Sequence, residues 1–140
     1  MIAIRRPRNT PTTKPRVLVV EDEALIAVMV EDFLDLIGCE CIGPITHLPT
    51  ALTAAETEEF DAAILNLIIG GKNAYPVAEI LLRRGIPFAF ASGVPRDGFD
   101  EKWKSSPFLA KPYGAEDIRT LMTTLLTSGG GVRNPAARPN

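Results

Sequence analysis

Val17-Leu18-Val19-Val20-Glu21-Asp22-Glu23 decides how this chain is read. Four apolar residues, three of them β-branched, form a run too short for a helix, and three acids end it abruptly. The periodicity then changes. Between residues 24 and 37, Leu25, Val28, Met29, Phe33, Leu36 and Ile37 recur at threes and fours, with Glu31, Asp32 and Asp35 among them. That spacing predicts an amphipathic helix with these residues on its buried side, and Gly38 as its stop.

The same alternation continues outward. Strands are expected at 39–43, 61–65, 86–91 and 108–110, and helices at 48–58, 75–84 and 115–126. Gly70-Gly71 reads as a loop. Val94-Pro95 and Gly98 leave only a brief helical stretch at 99–104, where Phe99 and Trp103, four apart, share a face. Filling the core and meeting a partner are both open readings for that pair. Ile118, Leu121, Met122 and Leu125 line one side of the last helix. The inner strands are apolar on both faces, as strands covered on each side by helices must be. The chain is therefore read as one α/β domain, a doubly wound five-stranded parallel sheet with helices on both faces.

Composition fits a globular protein, with 46% hydrophobic and 23% charged residues in 140. The net charge of −2 conceals a split. Residues 1–16 carry five bases and no acid, and residues 128–140 carry Arg133 and Arg138 and no acid. The body between holds 8 of the 15 bases and all 17 acids, a net of −9. Such a body is a poor partner for nucleic acid, which needs clustered Lys and Arg. No apolar run approaches a membrane span. No apolar run backs the basic N-terminus either, so a cytoplasmic protein without a secretory signal is expected. The expected division is a flexible basic lead-in at 1–15, a folded body at 16–127, and a flexible tail at 128–140 opened by Ser128-Gly129-Gly130-Gly131. Cys39 and Cys41 read as reduced thiols on one strand face, because no His or second Cys pair completes a zinc pattern.

Four strand runs end in polar residues: Glu21 and Asp22, Asn66, Ser92 and Lys111. In an open α/β sheet the carboxyl ends of the strands line the ligand crevice. Each residue also has an ordinary explanation. Asp22 serves equally as the N-cap of the first helix, Asn66 and Ser92 as turn residues, and Lys111 as a surface lysine. Agreement at four strand ends favours a shared site.

The segments at 17–23, 61–66, Phe90-Ala91-Ser92-Gly93 and Phe108-Leu109-Ala110-Lys111-Pro112 resemble the receiver domain of two-component response regulators, in order and spacing, over residues 16–127. Ile86-Pro87-Phe88-Ala89-Phe90-Ala91-Ser92-Gly93 further resembles the α-proteobacterial stand-alone branch with a Pro-Phe-x-Phe-Ala-Thr-Gly signature. The resemblance implies a flavodoxin-like strand order 2-1-3-4-5. It implies Glu21, Asp22 and the backbone carbonyl of Ile68 as ligands of Mg²⁺, position 66 as the phosphoacceptor, and Ser92 and Lys111 as its hydroxyl and ammonium partners. Phe108 falls at the aromatic switch position, and Phe99 and Trp103 in the output region. The implied partners are a histidine kinase or a downstream phosphorelay protein, with a homodimer through the region of helices 4 and 5.

One position departs. A carboxamide stands at Asn66 where the family has aspartate, and it cannot form the usual acyl phosphate. Mg²⁺ binding is expected to weaken, since one unit charge contributes at most about 4 kcal/mol before desolvation at an effective dielectric of about 20. The expected function is a single-domain receiver acting through protein contacts, either natively independent of phosphate or altered by engineering at residue 66. Two rivals share the fold. An aspartate-nucleophile phosphotransfer enzyme needs acids at 66 and 68, and a flavin carrier needs a hydroxyl-rich phosphate loop where Glu21-Asp22-Glu23 would repel phosphate. His47 reads as a loop residue, and Gly70-Gly71-Lys72-Asn73 lacks the spacing of a phosphate-binding loop.

Overall fold

A computed structural model describes residues 14–133. The order of elements is β1 (Arg16–Val20), α1 (Ala24–Leu36), β2 (Glu40–Ile45), α2 (Leu48–Thr57), β3 (Ala62–Asn66), β4 (Ile68–Ile69), β5 (Lys72–Asn73), α3 (Tyr75–Arg84), β6 (Phe88–Ser92), two 3₁₀ turns (Arg96–Gly98 and Glu101–Trp103), β7 (Phe108–Ala110) and α4 (Ala115–Arg133). Five strands form a parallel sheet in the order β2-β1-β3-β6-β7. This is the expected order 2-1-3-4-5 once the small β4–β5 hairpin is set aside.

Alternation along the strands divides the core in two. Leu18, Val20, Ala63, Leu65, Phe88 and Phe90 face α2 and α3, while Val17, Val19, Ile64, Ala89 and Ala91 face α1 and α4. In β6 the pattern Phe-Ala-Phe-Ala-Ser places rings on one side and methyls on the other. The methyl side packs with Ile118, Met122 and Leu125 of α4, and the ring side fills space beside α3.

That space belongs to residues 94–104. In place of the single short helix expected at 99–104, the chain makes two separate 3₁₀ turns. Pro95 starts the first, and the second begins beyond Phe99. Phe99 and Trp103 are only 3% and 4% exposed. They are core residues, and the reading that set them on an exposed contact face is corrected. With Tyr75, Phe88, Phe90 and Phe108 they make a cluster of edge-to-face and stacked rings.

The buried stripe of α1 also differs from expectation. Ala27, Val30 and Leu34 are buried, while Leu25 is 78% exposed and Val28 and Leu36 also face out. A small residue at 27 lets the helix approach β1 closely, which turns the bulkier row toward solvent. The last helix continues past the expected end at residue 126, through Ser128-Gly129-Gly130-Gly131 to Arg133. The basic lead-in apart from Lys14 and Pro15, and residues 134–140 of the tail, lie outside the described residues. Among the described residues no helix is long and apolar enough to cross a membrane.

Candidate functional site

The carboxyl edge is built by three local devices. The first is an irregularity in β2. Leu18 pairs with Ile42 but Val20 with Ile45, so one extra residue enters β2 around Gly43-Pro44. Gly43 has φ +109°, and a Cβ there would meet the Ile45 nitrogen at 2.6 Å and the Val19 oxygen at 2.9 Å. Only glycine fits. The shift lets the Ile45 carbonyl accept from the Glu21 N–H at 2.9 Å, which anchors the backbone where β1 ends.

The second is the β4–β5 hairpin, read from sequence only as a loop. Gly70 and Gly71 both have positive φ (59° and 82°), as a two-residue turn with the twist of its flanking strands requires. Leu67 and Ile69 are buried beneath it, and the Leu67 carbonyl accepts from the Ala74 N–H at 2.8 Å. The turn presents the Gly70 N–H and the Ile68 carbonyl to the edge.

The third is the pairing of β6 with β7. The Lys111 N–H donates to the Ser92 carbonyl at 2.9 Å, which fixes these two residues side by side.

Glu21, Asp22, Asn66, the Ile68 carbonyl, Ser92 and Lys111 all lie at this edge. Glu21 is 2% exposed. Its Oε2 accepts from the Glu23 N–H at 3.0 Å, and its Oε1 lies 3.4 Å from Lys111 Nζ. Burial pushes the Glu21 carboxyl above its ordinary value, opposed by the Glu23 N–H and the Lys111 ammonium. Asp22 caps no helix: Glu23 holds the N-cap position, without a side-chain cap bond. The Asp22 carboxylate instead accepts from the Gly70 N–H at 2.8 Å through Oδ2 and from Asn66 Nδ2 at 3.3 Å through Oδ1.

Asn66, at the last position of β3, is 8% exposed. Its Nδ2 also donates to the Ile68 carbonyl at 2.7 Å. Ser92 is buried, and its Oγ accepts from the Val94 N–H at 2.8 Å. The ion pairs of Lys111 run to Glu21 and to Glu23, the latter at 3.3 Å. Residue 66, a carboxamide, has no charge to hold it. The pairing of Glu23 with Lys111 was not legible in the sequence, because the two lie 88 residues apart. Phe108 is half-buried, its ring 5.5 Å from that of Phe99, with the Arg96 guanidinium 5.4 Å from its centroid.

A five-stranded parallel sheet of this order, covered by helices, is a CheY-like α/β fold of the flavodoxin type. No family model matches the sequence, and no curated protein matches it. Solved structures do. SdrG from Sphingomonas melonis Fr1 is 36% identical, over 84% of this chain and 99% of that one, with a TM-score of 0.71. A CheY-like response regulator receiver domain protein from Methanospirillum hungatei JF-1 is 18% identical, over 84% of this chain and 98% of that one, at 0.74. The response regulator PhyR from Brucella abortus is 22% identical, over 92% of this chain and 55% of that one, at 0.76. The chain belongs to the receiver-domain family of response regulators. Receiver domains as a class are signalling domains rather than enzymes, and they generally bind Mg²⁺ at the phosphorylation site.

Proposed function

We propose that this domain is a receiver that signals through protein contacts without an aspartyl phosphate. One observation carries the reading: the buried side chain at the end of β3, in the acceptor position, is the carboxamide of Asn66, with its nitrogen turned into the site. An amide nitrogen is delocalised and an amide oxygen carries no formal charge, so neither attacks phosphorus as a carboxylate does. Ser92 and Lys111 keep the types that would receive a phosphoryl group. In this chain they hold a turn and an acidic pair instead.

The substitution is read as native. The apolar Leu67 and Ile69 that follow Asn66 are buried in the hairpin, consistent with a neighbourhood adapted around a non-acidic residue. The hold on Mg²⁺ is weakened, since only Glu21 and Asp22 remain of the acidic set. Partners are a histidine kinase or a downstream signalling protein, and α1 offers the exposed apolar residues Leu25, Val28 and Leu36 for such a contact. A homodimer, where one forms, would use residues 94–104 and α4. A cytoplasmic location belongs to the same proposal.

Phosphotransfer against the histidine kinases of the source genome tests the reading. At least one kinase should bind the domain with equal affinity whether or not it carries phosphohistidine, and should transfer no phosphoryl group to it. Transfer to residue 66 overturns the proposal.

A further inference from the structure

Both carboxylates of the carboxyl edge and the Ile68 carbonyl already face donors from the chain itself. Glu21 Oε1 faces Lys111 Nζ at 3.4 Å and Glu21 Oε2 the Glu23 N–H at 3.0 Å. Asp22 Oδ2 faces the Gly70 N–H at 2.8 Å and Asp22 Oδ1 the Asn66 amide at 3.3 Å. The Ile68 carbonyl faces the same amide at 2.7 Å. Two of these five contacts, those that join Asp22 to the Ile68 carbonyl of the hairpin, come from a single nitrogen.

That nitrogen is where it is for a reason. With the amide reversed, its oxygen would lie against the Ile68 oxygen and the Asp22 carboxylate, three acceptors with no hydrogen among them. A carboxylate at 66 would set the same conflict with a full charge added, and only a cation or a proton could resolve it. The –NH₂ group resolves it with its two hydrogens, one for each acceptor. A divalent cation wants six or more oxygen ligands and is costly to dehydrate. To enter here it must break both hydrogen bonds donated by a buried side-chain amide and then accept a neutral amide oxygen in return.

We propose that the Asn66 carboxamide takes the place of the divalent cation at this edge, so that the site is closed by the chain's own N–H groups and takes up no Mg²⁺ at millimolar concentration. This rests on the reading of the edge as a receiver site. It goes beyond the loss of one charge, because it makes asparagine worse for a cation than a residue with no ligand at all.

Mn²⁺ binding, read from the loss of the free-ion electron paramagnetic resonance signal, separates the two accounts in the wild type, Asn66→Ala and Asn66→Asp. Asn66→Ala removes the amide without adding charge and frees Asp22 and the Ile68 carbonyl. It should bind Mn²⁺ roughly fivefold more tightly than the wild type, as the release of one or two hydrogen bonds predicts. Asn66→Asp should bind more tightly than either. Wild type binding as tightly as Asn66→Ala, or more tightly, overturns the proposal, since the amide oxygen would then be serving as a ligand. Should Asn66→Ala fail to fold, the Asn66 side-chain amide resonances of the wild type decide. They should be unmoved by Mg²⁺ and unbroadened by Mn²⁺, and selective broadening of that pair overturns the proposal. Phosphoryl transfer to the wild type would overturn the functional reading and leave these binding ratios standing.

Discussion

The indole of Trp103 stacks on the ring of Tyr75, with centroids 5.6 Å apart and planes within 10° of parallel. Tyr75 opens α3 and Trp103 closes the second 3₁₀ turn, so the contact ties residues 94–104 to the helical face of the sheet. The Asp100 N–H donates to the Tyr75 hydroxyl at 3.0 Å and secures the same junction. Lys102 pairs with Glu79 outside it at 2.6 Å, a surface contact of small weight.

Removal of this ring should therefore cost core stability. Trp103→Ala is expected to destabilise the domain by about 3–5 kcal/mol, the range for a buried aromatic. Urea unfolding followed by circular dichroism measures it. A cost under about 0.5 kcal/mol, the scale of a surface change, would return Trp103 to an exposed role.

The edge should respond to pH through Glu21. Its carboxyl is raised above the ordinary value of 4.5, first by burial. A raised carboxyl favours the folded state below its unfolded value and loses that contribution as pH rises through the folded value. The Lys111 ammonium limits the loss. Lys111→Met should thus cost little at pH near 4 and about 1–3 kcal/mol at pH near 7, where Glu21 is left charged and buried. Urea midpoints of the two proteins across that range give the comparison. An equal cost at both ends would mean that Lys111 does not stabilise the Glu21 charge.

The thiols should be sluggish. Burial, and then the charge of Glu31, push Cys41 up to about 12, and burial raises Cys39 as well. At mildly alkaline pH, Cys41 should react with a disulfide reagent about three orders of magnitude more slowly than a free thiol, and denaturant should abolish the difference. A fast burst from Cys41 in the native protein would contradict its raised thiol.

Most of the fold was legible because it rests on local pattern. The runs at 17–20 and 86–91 read as strands, and Ile118, Leu121, Met122 and Leu125 as one side of the last helix, which is buried. The buried row of α1 was legible only in part: Phe33 and Ile37 pack against the core, while Leu25, Val28 and Leu36 face out and the smaller Ala27 is buried. Hydrophobicity ranks residues by size, whereas close helix–sheet packing selects for fit. The residues at the edge were legible as strand-end polar groups. Their mutual bonds were not. The Gly70 N–H on Asp22 depends on a turn formed 48 residues away, and the Glu23–Lys111 pair on a strand order that brings the chain beyond β1 and the chain beyond β7 to one edge. The glycines at 70 and 71 were the one local signal, since two adjacent residues that tolerate positive φ mark a tight hairpin.

Intact-mass measurement after incubation with acetyl phosphate and Mg²⁺ tests the central claim most directly. The wild type should keep its mass, and Asn66→Asp, which restores the carboxylate beside Ser92 and Lys111, should gain one phosphoryl group located by peptide mapping at residue 66. A phosphorylated peptide carrying the label on Asn66 of the wild type would contradict the account.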